Sequence, residues 1–212
     1  MTTKKKIVFV VNPISGTQGK RAILKWIDER INRTLYDYTI VKTQYAGHAE
    51  KIAATAAKEK VDIVVAIGGD GTINEIGRAL IHTDTALGII PCGSGNGLAR
   101  HLQIPLEPKA AIDIINESSV ACIDYGKINN IPFFCTCGVL TYLENTLHES
   151  LSYKPETYEI ENEEGTVKYK AFLIACGNAS QYGNNAYIAP QASLTDGLMD
   201  VTILEPFTVL DV

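Results

Sequence analysis

The chain has little cysteine and none of it in a metal-like spacing. Its five cysteines, Cys92, Cys122, Cys135, Cys137 and Cys176, contain no CxxC pair and are odd in number. That excludes the usual zinc spacings and a paired disulfide framework. All but Cys92 lie in strand-like apolar runs, so they read as small buried hydrophobes in a reducing cytosol. Cys135 and Cys137 would share one strand face, but positions i and i+2 aim side chains in parallel and do not pair them. There is no excess of positive charge: 19 Lys and Arg stand against 24 Asp and Glu, a net charge of −5. No basic face is advertised, and nucleic acid is not an expected partner. No apolar run approaches a membrane span. The short run at 7–11, behind a basic start, is too brief for a signal-peptide core, and no small-residue cleavage site follows. Low-complexity linkers and internal repeats are also missing.

What is there is an ordinary globular composition, 46% hydrophobic and 20% charged over 212 residues. That length is large for one domain and comfortable for two small ones. The first half alternates strand and helix. Strands are expected at 6–11, 38–43, 61–67 and 86–91. Helices are expected at 19–32, 47–60, from about 73 to 81, at 96–103 and at 109–116. This rhythm predicts a mostly parallel sheet covered on both faces. Near residue 119 the rhythm changes. Strands are expected at 120–128, 131–137, 157–161, 167–176, 186–189 and 198–204, with a hairpin turn at 163–166 and one helix at 141–151. The expected organisation is an α/β domain over 1–118 and a mainly antiparallel β domain over 119–212.

The polar, glycine-rich segments fall where the first four strands end. They are Asn12-Pro13-Ile14-Ser15-Gly16, Thr43 to His48, Gly68 to Glu75, and Pro91 to Gly97. Ligands of parallel sheets bind outside the carboxyl ends of the strands, and four such loops on one edge make a rim. The third is the most informative: Gly68-Gly69-Asp70-Gly71-Thr72-Ile73-Asn74-Glu75 joins a buried strand to a helix. Side-chain-free backbone there lets amide N–H groups converge on an anion, and the helix N-terminus adds partial positive charge. Asp70 makes sense among phosphates if it meets them through Mg²⁺ or ordered water.

Familiar motifs fail. Gly16-Thr17-Gln18-Gly19-Lys20-Arg21 has too few residues between its glycines for a P-loop, and Arg follows the Lys where Ser or Thr is needed. Gly93-Ser94-Gly95-Asn96-Gly97 is GxGxG after the fourth strand, not the dinucleotide GxGxxG after the first. No HExxH, GxSxG or HRD signature occurs. His48, His82, His101 and His148 show no nucleophile partner in sequence, so solvated or structural roles are expected.

Asn12 to Gly16, Thr43 with Gly47-His48-Ala49, Gly68 to Glu75, and Pro91 to Arg100 occur in the order seen in the diacylglycerol kinase catalytic-domain family, which includes bacterial soluble lipid kinases and sphingosine kinases. The likeness runs to Ala192–Asp200. Gly-Gly-Asp-Gly-Thr alone is shared with NAD kinases and resembles the 6-phosphofructokinase loop. The following Ile-Asn-Glu and the Gly-Ser-Gly-Asn loop resemble the lipid-kinase branch. The resemblance implies a three-layer nucleotide domain, a β-sandwich-like second domain, and ATP in the cleft between them. It implies nucleotide contacts at Asn12, Pro13, Ile14, Ser15, Gly16, Thr43, Gly68, Gly69, Asp70, Gly71, Thr72, Ile73, Asn74, Glu75, Gly93, Ser94, Gly95 and Asn96. It further implies Asp70 as the catalytic Mg²⁺ ligand, and a structural Mg²⁺ at Ser193, Asp196 and the carbonyl of Leu198; the bland alternative there is an Asp-Gly turn.

Two departures matter. After Gly138 the family continues through a Gly-x-Asp-Ala segment, whereas here Val139-Leu140-Thr141 leads straight to the expected helix. The family's Asp-Gly-Glu, whose Glu serves as base on the acceptor hydroxyl, has no counterpart in residues 1–212, so weak turnover is expected of them. The reading is therefore an ATP- and Mg²⁺-dependent lipid kinase of the cytoplasm that visits the membrane surface for its lipid acceptor. A homodimer stays open, as do an NAD-kinase-like enzyme and a non-catalytic nucleotide-binding module.

Overall fold

The computed structural model describes residues 4–13, 19–117, 119–138, 155–162 and 165–206. Its first half runs β1 (Lys5–Val11), α1 (Lys20–Arg30), β2 (Tyr36–Lys42), α2 (His48–Lys58), β3 (Ile63–Gly68), α3 (Asp70–Leu80), β4 (Ala86–Pro91), α4 (Gly97–His101) and α5 (Pro108–Glu117). The four strands are parallel and lie in the order β2-β1-β3-β4. β3 is buried at every position, as a strand covered on both faces must be.

Strand alternation sorts the core into two layers. Ile7, Phe9, Val11, Ile63, Val65 and Ile67 face Ile23 and Ile27 of α1 and Ile112 of α5. Val10, Val64 and Ala66 face the other way, onto Ala53 and Ala56 of α2 and Ile73, Ile76 and Leu80 of α3. Each fully buried isoleucine contributes about 1.5–3 kcal/mol. The small side chains at Ala49, Ala53 and Ala56 recur three to four residues apart on the buried face of α2. The expected elements are all present here, with ends shifted by a few residues. One shift matters: α3 starts at Asp70, so Asp70 to Glu75 form its opening turns and not a loop.

The second half contains β5 (Gly126–Ile128), β6 (Ile131–Phe133), β7 (Thr136–Gly138), β8 (Glu156–Asn162), β9 (Gly165–Ala171), β10 (Leu173–Gly177) and β11 (Asp200–Leu204). Its pairs are antiparallel: β5 with β6, β8 with β9, and β10 with both β7 and β11. The expectations need correcting in five places. The stretch before Gly126 forms no strand; Val120 is exposed, and Asp124 N–H instead donates to the Leu194 carbonyl at 2.6 Å. The run 131–137 splits into β6 and β7, and 167–176 splits at Phe172 into β9 and β10, because each half pairs in a different sheet. Residues 186–189 hold only a single bridge, Tyr187 to Gln181. Gly165 and Thr166 belong to β9 and not to a turn.

Three readings fall wholly or partly outside the described residues: the helix at 141–151, the turn at 163–164, and the Val139–Leu140 junction. The cysteines also differ from expectation. Cys122 is exposed, Cys135 precedes β7, and Cys137 lies directly opposite Cys176 in the ladder. No helix among the described residues is long and apolar enough to cross a membrane.

Candidate active site

The carboxyl ends of all four parallel strands open on one edge, at Val11, Lys42, Gly68 and Pro91. β1 and β3 are neighbours from which the chain winds outward in opposite directions, a switch point that leaves a crevice. Asn12 leaves β1 at that crevice, and its Nδ2 donates across it to Thr72 Oγ1 at 3.3 Å. Lys20 Nζ donates to the Asn12 carbonyl. Burial holds the Lys20 ammonium below the usual lysine range, against a smaller opposite effect from Cys92.

The loops after β3 and β4 meet backbone to backbone. A Cβ on Gly93 would lie 2.5 Å from Gly69 Cα, and one on Gly69 would lie 2.9 Å from Gly93 Cα. Those two glycines are therefore required by each other. Asn96 is buried with φ +54. Its Oδ1 accepts from Gly93 N–H at 2.8 Å and its Nδ2 donates to the Gly93 carbonyl at 2.7 Å. The Asn96 amide is thus engaged by its own loop. Gly71 differs, since a Cβ there would meet nothing within 4 Å.

Asp70 is the first residue of α3, and no side chain among the described residues caps that helix. The first intrahelical bond is Ile73 N–H to the Gly69 carbonyl at 3.1 Å. The N–H groups of residues 69–72 precede it and carry the positive end of the helix. Asp70 Oδ1 is buried without a hydrogen-bond partner among the described residues. An orphaned carboxylate oxygen is costly in isolation and suits a hard cation such as Mg²⁺. The residues present therefore fit the ion. Among the described residues no group of three or more His, Cys, Asp or Glu is placed to hold a metal. A cation at Asp70 would accordingly draw its other ligands from donor phosphates and water. Nearby, Cys135 Sγ donates to the Gln181 carbonyl at 3.1 Å. Burial, and next the charge of Asp70, push its thiol up to about 12.

The remaining sequence candidates divide. Ile73 is fully buried in the core, so its side chain packs and does not face the rim. Glu75 Oε2 accepts from Ala49 N–H at 3.2 Å and so caps α2. Thr43 joins the rim through its N–H to the Val11 carbonyl at 2.9 Å. Pro13 and Ser94 are exposed there, Asn74 half-buried. Ile14, Ser15 and Gly16 lie outside the described residues. Ser193, Asp196 and Leu198 sit on a turn of the second half. There Asp196 Oδ1 accepts from Leu198 N–H at 2.9 Å, Ser193 Oγ from Thr195 N–H at 3.3 Å, and Asp124 Oδ2 from Gly197 N–H at 2.7 Å. No hydrogen bond among the described residues links that turn to Asp70.

The resemblance implied a cleft between the two halves, but sequence reasoning missed which loop of the second half reaches the rim. The loop at 180–184 rests on the Gly93–Gly97 loop: a Cβ on Gly95 would lie 3.2 Å from the Tyr182 carbonyl and 3.0 Å from Asp70 Oδ2. His101 Nδ1 meets Ser180 Oγ at 3.0 Å across a separation of 79 residues, so no local signal could have announced it. Tyr182 OH is buried without a hydrogen-bond partner among the described residues, and burial raises its pKa.

The family model for the diacylglycerol kinase catalytic domain matches residues 6–128. The model for the YegS C-terminal NAD kinase beta sandwich-like domain matches residues 125–212. A diacylglycerol kinase of Bacillus subtilis is 31% identical over 95% of this chain and 74% of that protein. A diacylglycerol kinase of Mycobacterium tuberculosis is 29% identical over 94% of this chain and 73% of its own length. The crystal structure of a diacylglycerol kinase from Bacillus anthracis superposes with a TM-score of 0.80 at 25% identity, covering 97% of this chain and 74% of that one. With a matched catalytic-domain model spanning the parallel sheet and the Asp70 rim, the chain belongs to the diacylglycerol kinase catalytic-domain family of lipid kinases.

Proposed function

We propose that the protein is an ATP-dependent, Mg²⁺-requiring lipid kinase that passes the γ-phosphoryl group to a hydroxyl of a diacylglycerol-like or sphingoid lipid. The observation that carries this reading is the buried, unpartnered Asp70 Oδ1 at the uncapped N-terminus of α3. The N–H groups of residues 69–72 receive the donor phosphates, with Asn12, Thr43, Asn74 and Ser94 around them. Bound Mg²⁺ supplies charge neutralisation on the transferring group, and Asp70 is its protein ligand. Ser193, Asp196 and the Leu198 carbonyl hold a second, structural ion. Acceleration comes from positioning and charge stabilisation, since no nucleophilic side chain is required. The acceptor is met transiently at the membrane surface, and pocket shape selects among lipid alcohols.

The test is phosphoryl transfer from labelled ATP with Mg²⁺ to a panel of micellar lipids, with NAD as the soluble rival and Asp70→Ala as control. Label in a lipid, lost in the variant, is expected. Label in NAD, or none anywhere, refutes the reading.

A further inference from the structure

Helix α4 is short, yet its last two residues both leave their own half of the fold. Arg100 Nε donates to the Gly95 carbonyl at 3.0 Å, and its Nη2 reaches Asn184 Oδ1 at 3.4 Å. His101 Nδ1 accepts from Ser180 N–H at 3.1 Å, which places the ring proton on Nε2. Ser180 is 7% exposed, so its N–H has little water to turn to if the imidazole leaves. Between these two anchors the backbones touch. Gly183 stands at φ +121, a Cβ on it would lie 2.5 Å from Gly95 Cα, and it pairs with Asn96 as an antiparallel bridge. The would-be Cβ of Gly95 that lies 3.2 Å from the Tyr182 carbonyl also lies 3.0 Å from Asp70 Oδ2, so the 180–184 loop, Gly95 and the Asp70 carboxylate converge on one point.

We propose that Arg100 and His101 are positioning residues for phosphoryl transfer, clasping the 180–184 loop onto Gly95 so that the main chain beside Asp70 is held in register. Neither touches the reacting atoms; both act through Gly95. The kinetic side of the inference rests on the proposed lipid-kinase activity, while the clasp rests on contact geometry alone. Arg100 suits the task because its rigid fork presents separate nitrogens to acceptors on two loops at once, where a lysine would offer one mobile nitrogen. His101 suits it because a neutral imidazole nitrogen is a compact acceptor for a backbone N–H. A side chain that only filled space would leave Ser180 N–H unpaired.

The experiment compares His101→Leu, which removes the acceptor, with His101→Asn, whose Oδ1 takes the place of Nδ1. Asn184→Ala joins them as an exposed change that leaves the core untouched. Hydrogen exchange at the Ser180 and Gly183 amides is read with kcat and the KM for ATP. His101→Leu is expected to speed exchange at Ser180 about tenfold or more, the release of one buried hydrogen bond. Its kcat should fall between about tenfold and a hundredfold, as for a displacement of about 1 Å, with KM for ATP within about twofold. His101→Asn restores both readouts, and Asn184→Ala gives a smaller fall in kcat at unchanged Tm. Unchanged exchange in His101→Leu overturns the clasp. Faster exchange at wild-type kcat, or no rescue by His101→Asn, overturns the positioning role. Should His101→Leu fail to fold, Asn184→Ala decides, and wild-type kcat there refutes the proposal. Absence of lipid phosphorylation by the unmodified protein defeats the lipid-kinase reading instead, and the exchange arm still judges the clasp.

Discussion

Gly71 in the opening turn of α3 and Gly93 on the loop after β4 stand on one rim, and alanine at each should have opposite consequences. At Gly93 the new Cβ would lie 2.5 Å from Gly69 Cα and 3.0 Å from Asn96 Oδ1. Comfortable carbon contacts begin near about 3.5 Å, so the β3 and β4 loops would have to part by about 1 Å. Such overpacking costs about 1–3 kcal/mol. In a chain of this size each kcal/mol moves Tm by about 2–4 °C, so a fall of roughly 2–12 °C is expected. At Gly71 the Cβ meets nothing, and the residue is helical. Replacing a helical glycine by alanine gains about 0.5–1 kcal/mol, for a Tm rise of about 1–3 °C. The same methyl stands among the amides proposed to receive the donor phosphates, and on that proposal ATP affinity should fall about tenfold, which is about 1.4 kcal/mol. Scanning calorimetry gives Tm, and titration calorimetry with a non-hydrolysable ATP analogue gives Kd. A Gly93→Ala variant that melts with the wild type would refute the backbone-contact argument. A more stable Gly71→Ala with wild-type ATP affinity would refute the phosphate cradle.

Other outcomes follow from the same contacts. Asp70→Asn should lower kcat by about 10²–10³ while Tm holds or rises, because an unpaired buried carboxylate oxygen is relieved of its charge; activity that falls only in step with Tm would reduce Asp70 to a structural residue. The thiols of Cys135 and Cys137 are raised from 9.0 to about 12 and about 11, chiefly by burial. A raised thiol pKa means the folded state keeps a proton the unfolded state has lost, so stability is full below pH 9 and falls as pH rises toward those values. For Cys135 the loss approaches about 1.4 kcal/mol per pH unit. Denaturant melts of Cys135→Ala between pH 9 and 11 should show a shallower fall than the wild type, and an identical slope would discount the thiol. Burial lowers the His101 pKa from 6.5. Its stabilisation is therefore complete above pH 6.5 and declines as pH falls below it, toward the depressed folded value. His101→Asn should flatten that acid limb, and a limb unchanged by the substitution would assign it elsewhere.

The parallel sheet and the Asp70 turn were legible because their signals are local. A fully apolar β3, the glycines behind it and the i, i+3 spacing of Ile73 and Ile76 lie within 14 residues of one another, and each is caused by its own neighbours. The second half was legible only as strand content. No turn signal interrupts the run from Val167 to Cys176, yet β9 pairs back to β8 while β10 pairs forward to β11 and back to β7, a choice made by partners distant in sequence. Glu75 shows the same limit inside the motif itself, since its bond to Ala49 N–H depends on how α2 docks on α3. The glycines sharpen the point. In sequence Gly69, Gly71 and Gly93 are equivalent, all read as room for an anion. In the fold Gly69 and Gly93 make room for one another, and Gly71 alone leaves open space. A glycine-rich rim therefore carries two kinds of information in one letter, backbone approach between loops and access for a ligand. Only the third dimension separates them.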